Sequence, residues 1–218
     1  MTKLSPKYRN DPSDGLDVQL KERLDREFFG TLENVEHINP KMVVVFAGGN
    51  AVGKSTLSVR LMSELHGIRL ENDGVKRAIL KHQPELAMTD QLHRMVWQYT
   101  MDLYKRLDTL TQNGLVIRDG VIQWYFDRIL PIFVERGYRI FIIGYDLSEA
   151  KMRELIRARG NTDTSTEERF YQLIPDQKIH LKRFFEQYQA DIMLHDDTLF
   201  DHDAVVAAVR NALAEITL

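Results

Sequence analysis

Residues 41–56, KMVVVFAGGNAVGKST, constrain this chain more than any other stretch. Met42–Ala47 is an unbroken apolar run rich in β-branched residues, the pattern of a parallel strand covered on both faces. Glycines follow at once. Gly48, Gly53, Lys54 and Ser55 fit the spacing G-x-x-x-x-G-K-[ST] without a gap, with an apolar strand before and a helical pattern after. The spacing has a physical basis. Glycines let the backbone curl with its N–H groups turned inward, so that successive dipoles and a helix N-terminus meet a polyphosphate.

This is the Walker A spacing, and it makes Gly48, Gly49, Asn50, Ala51, Val52, Gly53, Lys54, Ser55 and Thr56 the expected ATP-binding segment. Lys54 would set a full positive charge beside the β- and γ-phosphates. The Ser55 hydroxyl would take one place on an octahedral Mg²⁺, and Thr56 would lie close to the α-phosphate.

A chain of 218 residues has length enough for a sizeable core, as one α/β domain with an N-terminal extension or as two small domains; we expect the former. Its charge is 29 − 32 = −3, which argues against nucleic acid or an anionic membrane as the main partner. There is no cysteine, hence no disulfide and no thiolate metal site, as in a cytoplasmic protein. No signal-peptide core and no 18-residue apolar run occur, so neither secretion by that route nor a membrane span is expected.

Residues 1–15 are polar and carry Pro6 and Pro12, which predicts a loosely ordered start. Leu16, Leu20, Leu24, Phe28 and Phe29 recur at helical spacing, so residues 1–40 read as an extension bearing one amphipathic helix stopped by Gly30. The main domain then runs over 41–218. It reads as a helix over 54–66 stopped by Gly67, a strand over 68–70, a short helix over 74–80 broken before Pro84, and a long helix over 89–112. A strand over 115–117 leads into Arg118, Asp119 and Gly120, followed by a helix over 124–136 kinked at Pro131 and a strand over 138–145. Ser148 caps a further helix ending near Gly160, and residues 161–166 are turn-rich. Helical segments on either side of Pro175, a strand over 191–194 and a helix over 203–216 complete the chain. Alternating strands and helices of this kind build a doubly wound parallel sheet.

Phosphoryl transfer is governed by positioning and charge, so the carboxylates and arginines at strand ends decide what the cradle does. Asp119 ends an apolar strand, where a carboxylate holds Mg²⁺ directly or through water; a helix-capping aspartate is the alternative. Asp73 ends the second strand and is followed by Lys76 and Arg77, one carboxylate and two cations that would face an acceptor. Arg153 and Arg157 lie four apart on one helix face, and Arg159 follows. Seven histidines are scattered without metal-ligand spacing. Trp97, Trp124, Tyr125 and Phe126 either line a pocket or simply pack.

Four segments in this order, AGGNAVGKST, NDGVKR, VIRDG and MRELIRARG, make residues 41–212 similar to the P-loop kinase group, which includes nucleoside monophosphate kinases, polynucleotide kinase and zeta-toxin-like sugar-nucleotide kinases. The resemblance implies a five-stranded sheet in the order 2-3-1-4-5, a helical lid over about 148–180, and transfer of the ATP γ-phosphate. It implies Asp73 as base, a cation at Lys76 or Arg77 on the acceptor's phosphates, and Arg128 as the arginine that similar kinases place in the next helix. Lid arginines, here Arg153 and Arg157 with Arg159, close over phosphates or stack on adenine. The D-G-x-P-R segment of adenylate-kinase-like enzymes starts at Asp119 and Gly120, but Ile122 and Gln123 stand in place of its proline and arginine.

The expected function is therefore an ATP- and Mg²⁺-dependent kinase acting on a hydroxyl or phosphate of a small molecule such as a nucleoside, nucleotide or sugar nucleotide. The competing expectation is a P-loop ATPase or switch without a small acceptor. Lys54, Asp73, Arg128 and Arg157 are the expected catalytic set, Ser55 and Asp119 the metal ligands, and Asp73, Lys76, Arg77 and Arg128 the acceptor site.

Overall fold

A computed structural model describes residues 16–29, 39–87, 89–111, 113–160 and 164–217. The start at 1–15, the stop at Gly30, the helix end at Gln112 and the turn at 161–163 lie outside the described residues. The chain divides into two compact units, 1–38 with 70–113 and 39–69 with 114–218.

The sheet is built on β1 (Met42–Ala47), buried along its whole length, as an apolar run without alternation requires. β3 (Leu115–Asp119) and β4 (Arg139–Tyr145) run parallel on its two sides, with Met42 opposite both Leu115 and Arg139. With β2 (Ile68–Glu71) and β5 (Ile192–Leu194) the order is β2-β3-β1-β4-β5, as the resemblance implied. Register positions the site. Ala47 pairs with Gly144 and Val45 with Arg118, so the loop leaving β1 emerges beside Tyr145 and Asp119.

In the larger unit, α2 (Lys54–Leu65) and α8 (His202–Thr217) bury Leu57, Leu61, Val205 and Val209 against Val44 and Phe46. α6 (Glu149–Ala158) adds Met152 and Ile156 to that core, and its N-terminus is capped by the Ser148 hydroxyl accepting from the Lys151 amide at 3.1 Å. α2 ends at Leu65, with His66 in the left-handed region at φ 53°. The glycine that follows answers a different need. A Cβ on Gly67 would meet the side chains of Leu115 and Ile117 at 2.9 Å, so this turn must run close against β3.

α5 (Phe126–Val134) is shorter than expected and carries Pro131 in its interior on an exposed position. α7 (Thr164–Gln187) corrects the reading of two helical segments, because it passes Pro175 without ending. Ile174, Gln177, Leu181 and Phe184 are buried at helical spacing on both sides of that proline. Burial of a continuous stripe there outweighs the one hydrogen bond a proline removes. Phe126 meets Phe184 and Tyr188 edge-on, with centroids 5.3 and 4.7 Å apart, and so fastens α5 to α7 and the chain just beyond it.

The smaller unit holds α1 (Val18–Phe29), α3 (Asn72–His82), a 3-10 turn (Pro84–Leu86) and α4 (Asp90–Leu110). α1 is the amphipathic helix read from its leucines, with Leu20 and Leu24 buried. α3 starts two residues before the expected Gly74, directly from β2, which puts Asp73 in its first turn. Asp25 of α1 accepts from the Tyr99 hydroxyl at 2.9 Å and from two Arg106 nitrogens at 2.9 Å each. Burial alone would raise the Asp25 pKa, but these bonds and the charges of Arg106 and Lys21 override it and hold it below the ordinary value.

Asp25→Asn is expected to cost about 1 kcal/mol at pH 7, read as a lower urea midpoint at unchanged slope. A carboxyl with a depressed folded pKa contributes fully above its unfolded value of 3.8 and loses that contribution as pH falls through the folded one. The difference between variant and parent should therefore close below pH 4.

Candidate active site

The loop after β1 takes its shape from a few backbone demands. Gly53 caps α2 at φ 86°, with nothing within 4 Å of where a Cβ would stand, so conformation rather than space calls for glycine. Ala51 also lies in the left-handed region, at φ 62°. A non-glycine residue held there stores strain that the surroundings must support, as functional loops often do. The N-terminus of α2 opens into this bend, where its first N–H groups have no helical partner.

Lys54 is 8% exposed, and its ammonium donates to the Gly49 carbonyl inside the loop. Burial lowers its pKa to about 8; the Asp119 carboxylate opposes that shift and the positive charge of Arg159 adds to it. Arg159, at the end of α6, is thus near enough to be felt at the loop lysine.

Asp119, at the end of β3, is 6% exposed and anchored by one oxygen. Oδ2 accepts from Ser58 Oγ at 2.9 Å and from Arg69 Nε at 3.1 Å, with a second bond from Arg69 Nη2. Oδ1 instead faces the Ser55 hydroxyl, 3.3 Å away. Mg²⁺ takes hard oxygen ligands at 2.0–2.1 Å in an octahedron, in which neighbouring ligands lie about 3 Å apart. A hydroxyl and a carboxylate oxygen 3.3 Å apart fit that ion. Among the described residues no cluster of three or more histidine or acidic side chains offers a rival metal site.

Ser58 and Arg69 were not read from the sequence. Ser58 follows Ser55 by one helical turn and is fully buried, a polar residue on the leucine face of α2. Arg69 alternates with Ile68 and Leu70, which turns it to the opposite side of β2 from those buried neighbours. Two glutamines also reach the loop. Gln123 Nε2 donates to the Gly48 carbonyl at 3.2 Å, and Gln177 of α7, 4% exposed, accepts from the Asn50 amide at 3.1 Å.

A cavity of about 610 Å³ opens beside the loop, lined by Gly49, Val52, Tyr145, Met152, Lys178 and Phe185 among others. Arg153 and Arg157 stand in the seam between α6 and α7. Arg153 holds Glu149 at 2.8 Å and lies 5.0 Å over the Tyr171 ring, while Arg157 bonds the Tyr171 hydroxyl. Arg128 is half-buried on α5, and Thr56 is exposed on α2. Of the aromatics, Tyr125 and Phe126 are buried, and Trp124 lies 3.9 Å from the His180 ring.

Asp73, Lys76 and Arg77 belong to the smaller unit. They share one side of α3 at spacings of three and four, with Asp73 exposed and Arg77 paired to Glu71.

Comparison with known proteins gives a consistent result. A family model described as AAA domain matches residues 43–178. No curated protein matches the sequence. Among solved structures, one from the PezAT chromosomal toxin–antitoxin system of Streptococcus pneumoniae superposes with TM-score 0.57 at 14% identity, covering 93% of this chain and 98% of that one. A candidate kinase from Chloroflexus aurantiacus gives 0.53 at 17%, covering 82% and 99%. The shikimate kinase of Bacteroides thetaiotaomicron gives 0.52 at 14%, covering 81% and 99%.

Proposed function

This chain belongs to the AAA domain family and has the fold of the P-loop kinase group, and from that premise we propose that it is an ATP- and Mg²⁺-dependent phosphotransferase acting on a hydroxyl or phosphate of a small molecule such as a nucleoside, nucleotide or sugar nucleotide. One observation carries the reading: a buried lysine and a serine–aspartate oxygen pair stand at the same loop.

The loop amides and Lys54 would hold the β- and γ-phosphates. Bound through Ser55 and Asp119, Mg²⁺ would supply charge neutralisation across those phosphates. The acceptor oxygen attacks the γ-phosphorus while the bond from phosphorus to the β-phosphate oxygen breaks, and that electron pair leaves with ADP. The acceptor's proton passes to the Asp73 carboxylate, with Lys76 or Arg77 binding any charge the acceptor carries away from its reacting oxygen. Arg128, Arg153 and Arg157, with Arg159, would steady the transferring group, and α6 with α7 as far as about residue 180 would act as the lid.

Incubation with labelled ATP and a broad metabolite mixture should yield a product heavier by one phosphoryl group. ATP consumed with no such product, under stimulation by a macromolecule, would point to an ATPase or switch instead. Asp73→Asn should lower transfer about 10²-fold with ATP affinity unchanged in calorimetry. Unaltered turnover would remove Asp73 as the base.

A further inference from the structure

Two buried polar atoms have no hydrogen-bonding partner among the described residues, the Tyr145 hydroxyl and Oε1 of Gln123, and both side chains reach Gly48. The direction of Gln123 is settled by its other end, because only the amide nitrogen can donate to the Gly48 carbonyl. Oε1 is therefore an acceptor with no donor. Tyr145 approaches the same glycine from β4, so closely that a Cβ on Gly48 would lie 2.8–3.0 Å from its side-chain carbons. Burial, and then the negative charge of Asp119, push the Tyr145 pKa upward, which keeps its proton on the phenol. Two side chains that meet at one residue of the phosphate loop thus carry a buried acceptor and a buried donor, each desolvated without return.

We propose that Gln123 and Tyr145 select and orient the acceptor, and that they select an uncharged hydroxyl of a sugar or nucleoside rather than a phosphate. The inference rests on the phosphotransfer reading and narrows it. An alcohol is both donor and acceptor, so before transfer its O–H donates to Gln123 Oε1 while its oxygen accepts a hydrogen bond from the Tyr145 phenol, and the hydroxyl hydrogen turns to Asp73 as the attack begins. A phosphate oxygen brings only lone pairs and negative charge against the Gln123 oxygen, and position 123 offers an amide where binding an anion calls for a cation. Tyr145 also lines the cavity beside Gly49 and Val52, which gives the body of the acceptor a place next to the loop.

The test uses the full chain with Mg²⁺–ATP against nucleosides and sugars in one arm and their monophosphates in the other. Phosphomonoesters formed on the neutral compounds are expected, and phosphoanhydrides formed from the monophosphates would overturn the proposal. Tyr145→Phe keeps the ring against Gly48 and removes only the hydroxyl. It should lower acceptor kcat/KM about 10-fold, leave the KM for ATP unchanged and raise Tm. Acceptor kcat/KM within twofold of the parent, with ATP still bound in calorimetry, would overturn this inference and leave the kinase reading intact. Absence of any ATP binding would remove both.

Discussion

Lys54→Ala is expected to lower kcat/KM for ATP about 10³-fold while leaving a folded protein, the largest effect anticipated from one side chain here. The ammonium is the one full positive charge read inside the loop itself, and its environment is dry enough to make that charge count. The same dryness predicts an alkaline limit. With a pKa of about 8 in the free protein, Lys54 loses its charge through a range where exposed lysines keep theirs, so kcat/KM for ATP should fall above pH 8. Stability moves the other way. The unfolded lysine titrates near 10.5 and the folded one near 8, so between those values the unfolded chain holds the extra proton. Stability on this account rises with pH across that window. Activity lost while the urea midpoint holds or climbs would identify Lys54; a midpoint falling in step with activity would instead mean that the fold is failing.

Asp119→Ala should damage both fold and turnover. Its carboxylate is the counterion of Arg69, which is 19% exposed, and the partner of the Ser58 hydroxyl. Removal takes a carboxylate from beside a mostly buried guanidinium, at a cost of about 3 kcal/mol. Transfer should fall at least about 10²-fold, because the oxygen opposite Ser55 is lost as well. The two losses separate by a second change. Asp119→Ala with Arg69→Leu removes the guanidinium as well and should regain part of the urea midpoint without regaining activity. If the double variant is no more stable than the single one, Arg69 is not stabilised chiefly by Asp119.

What could be read from the sequence, and what could not, divides by distance along the chain. The strand–loop–helix unit around Gly48 and Lys54 was legible because pattern, conformation and chemistry lie within sixteen consecutive residues. The strand order came from four motifs and their resemblance to the P-loop kinases, not from periodicity. The other bonds around the loop are made by residues far apart, and hydrophobic pattern does not report such pairings. Gln123 stood out only as a departure from an arginine, while Ser58 on the leucine face of α2 and Arg69 within β2 belong to no motif that names their partner. Pro175 misled for a related reason: a local breaker was judged without the buried stripe that continues past it.

The Gln177 oxygen rests on the Asn50 amide, 127 residues earlier in the chain. An oxygen from a visiting triphosphate that wants this N–H must first evict the one already seated there. Admission at the mouth of the loop is thereby tied to a tenant on α7, and the tightness of that tenancy sets how readily the door is given up.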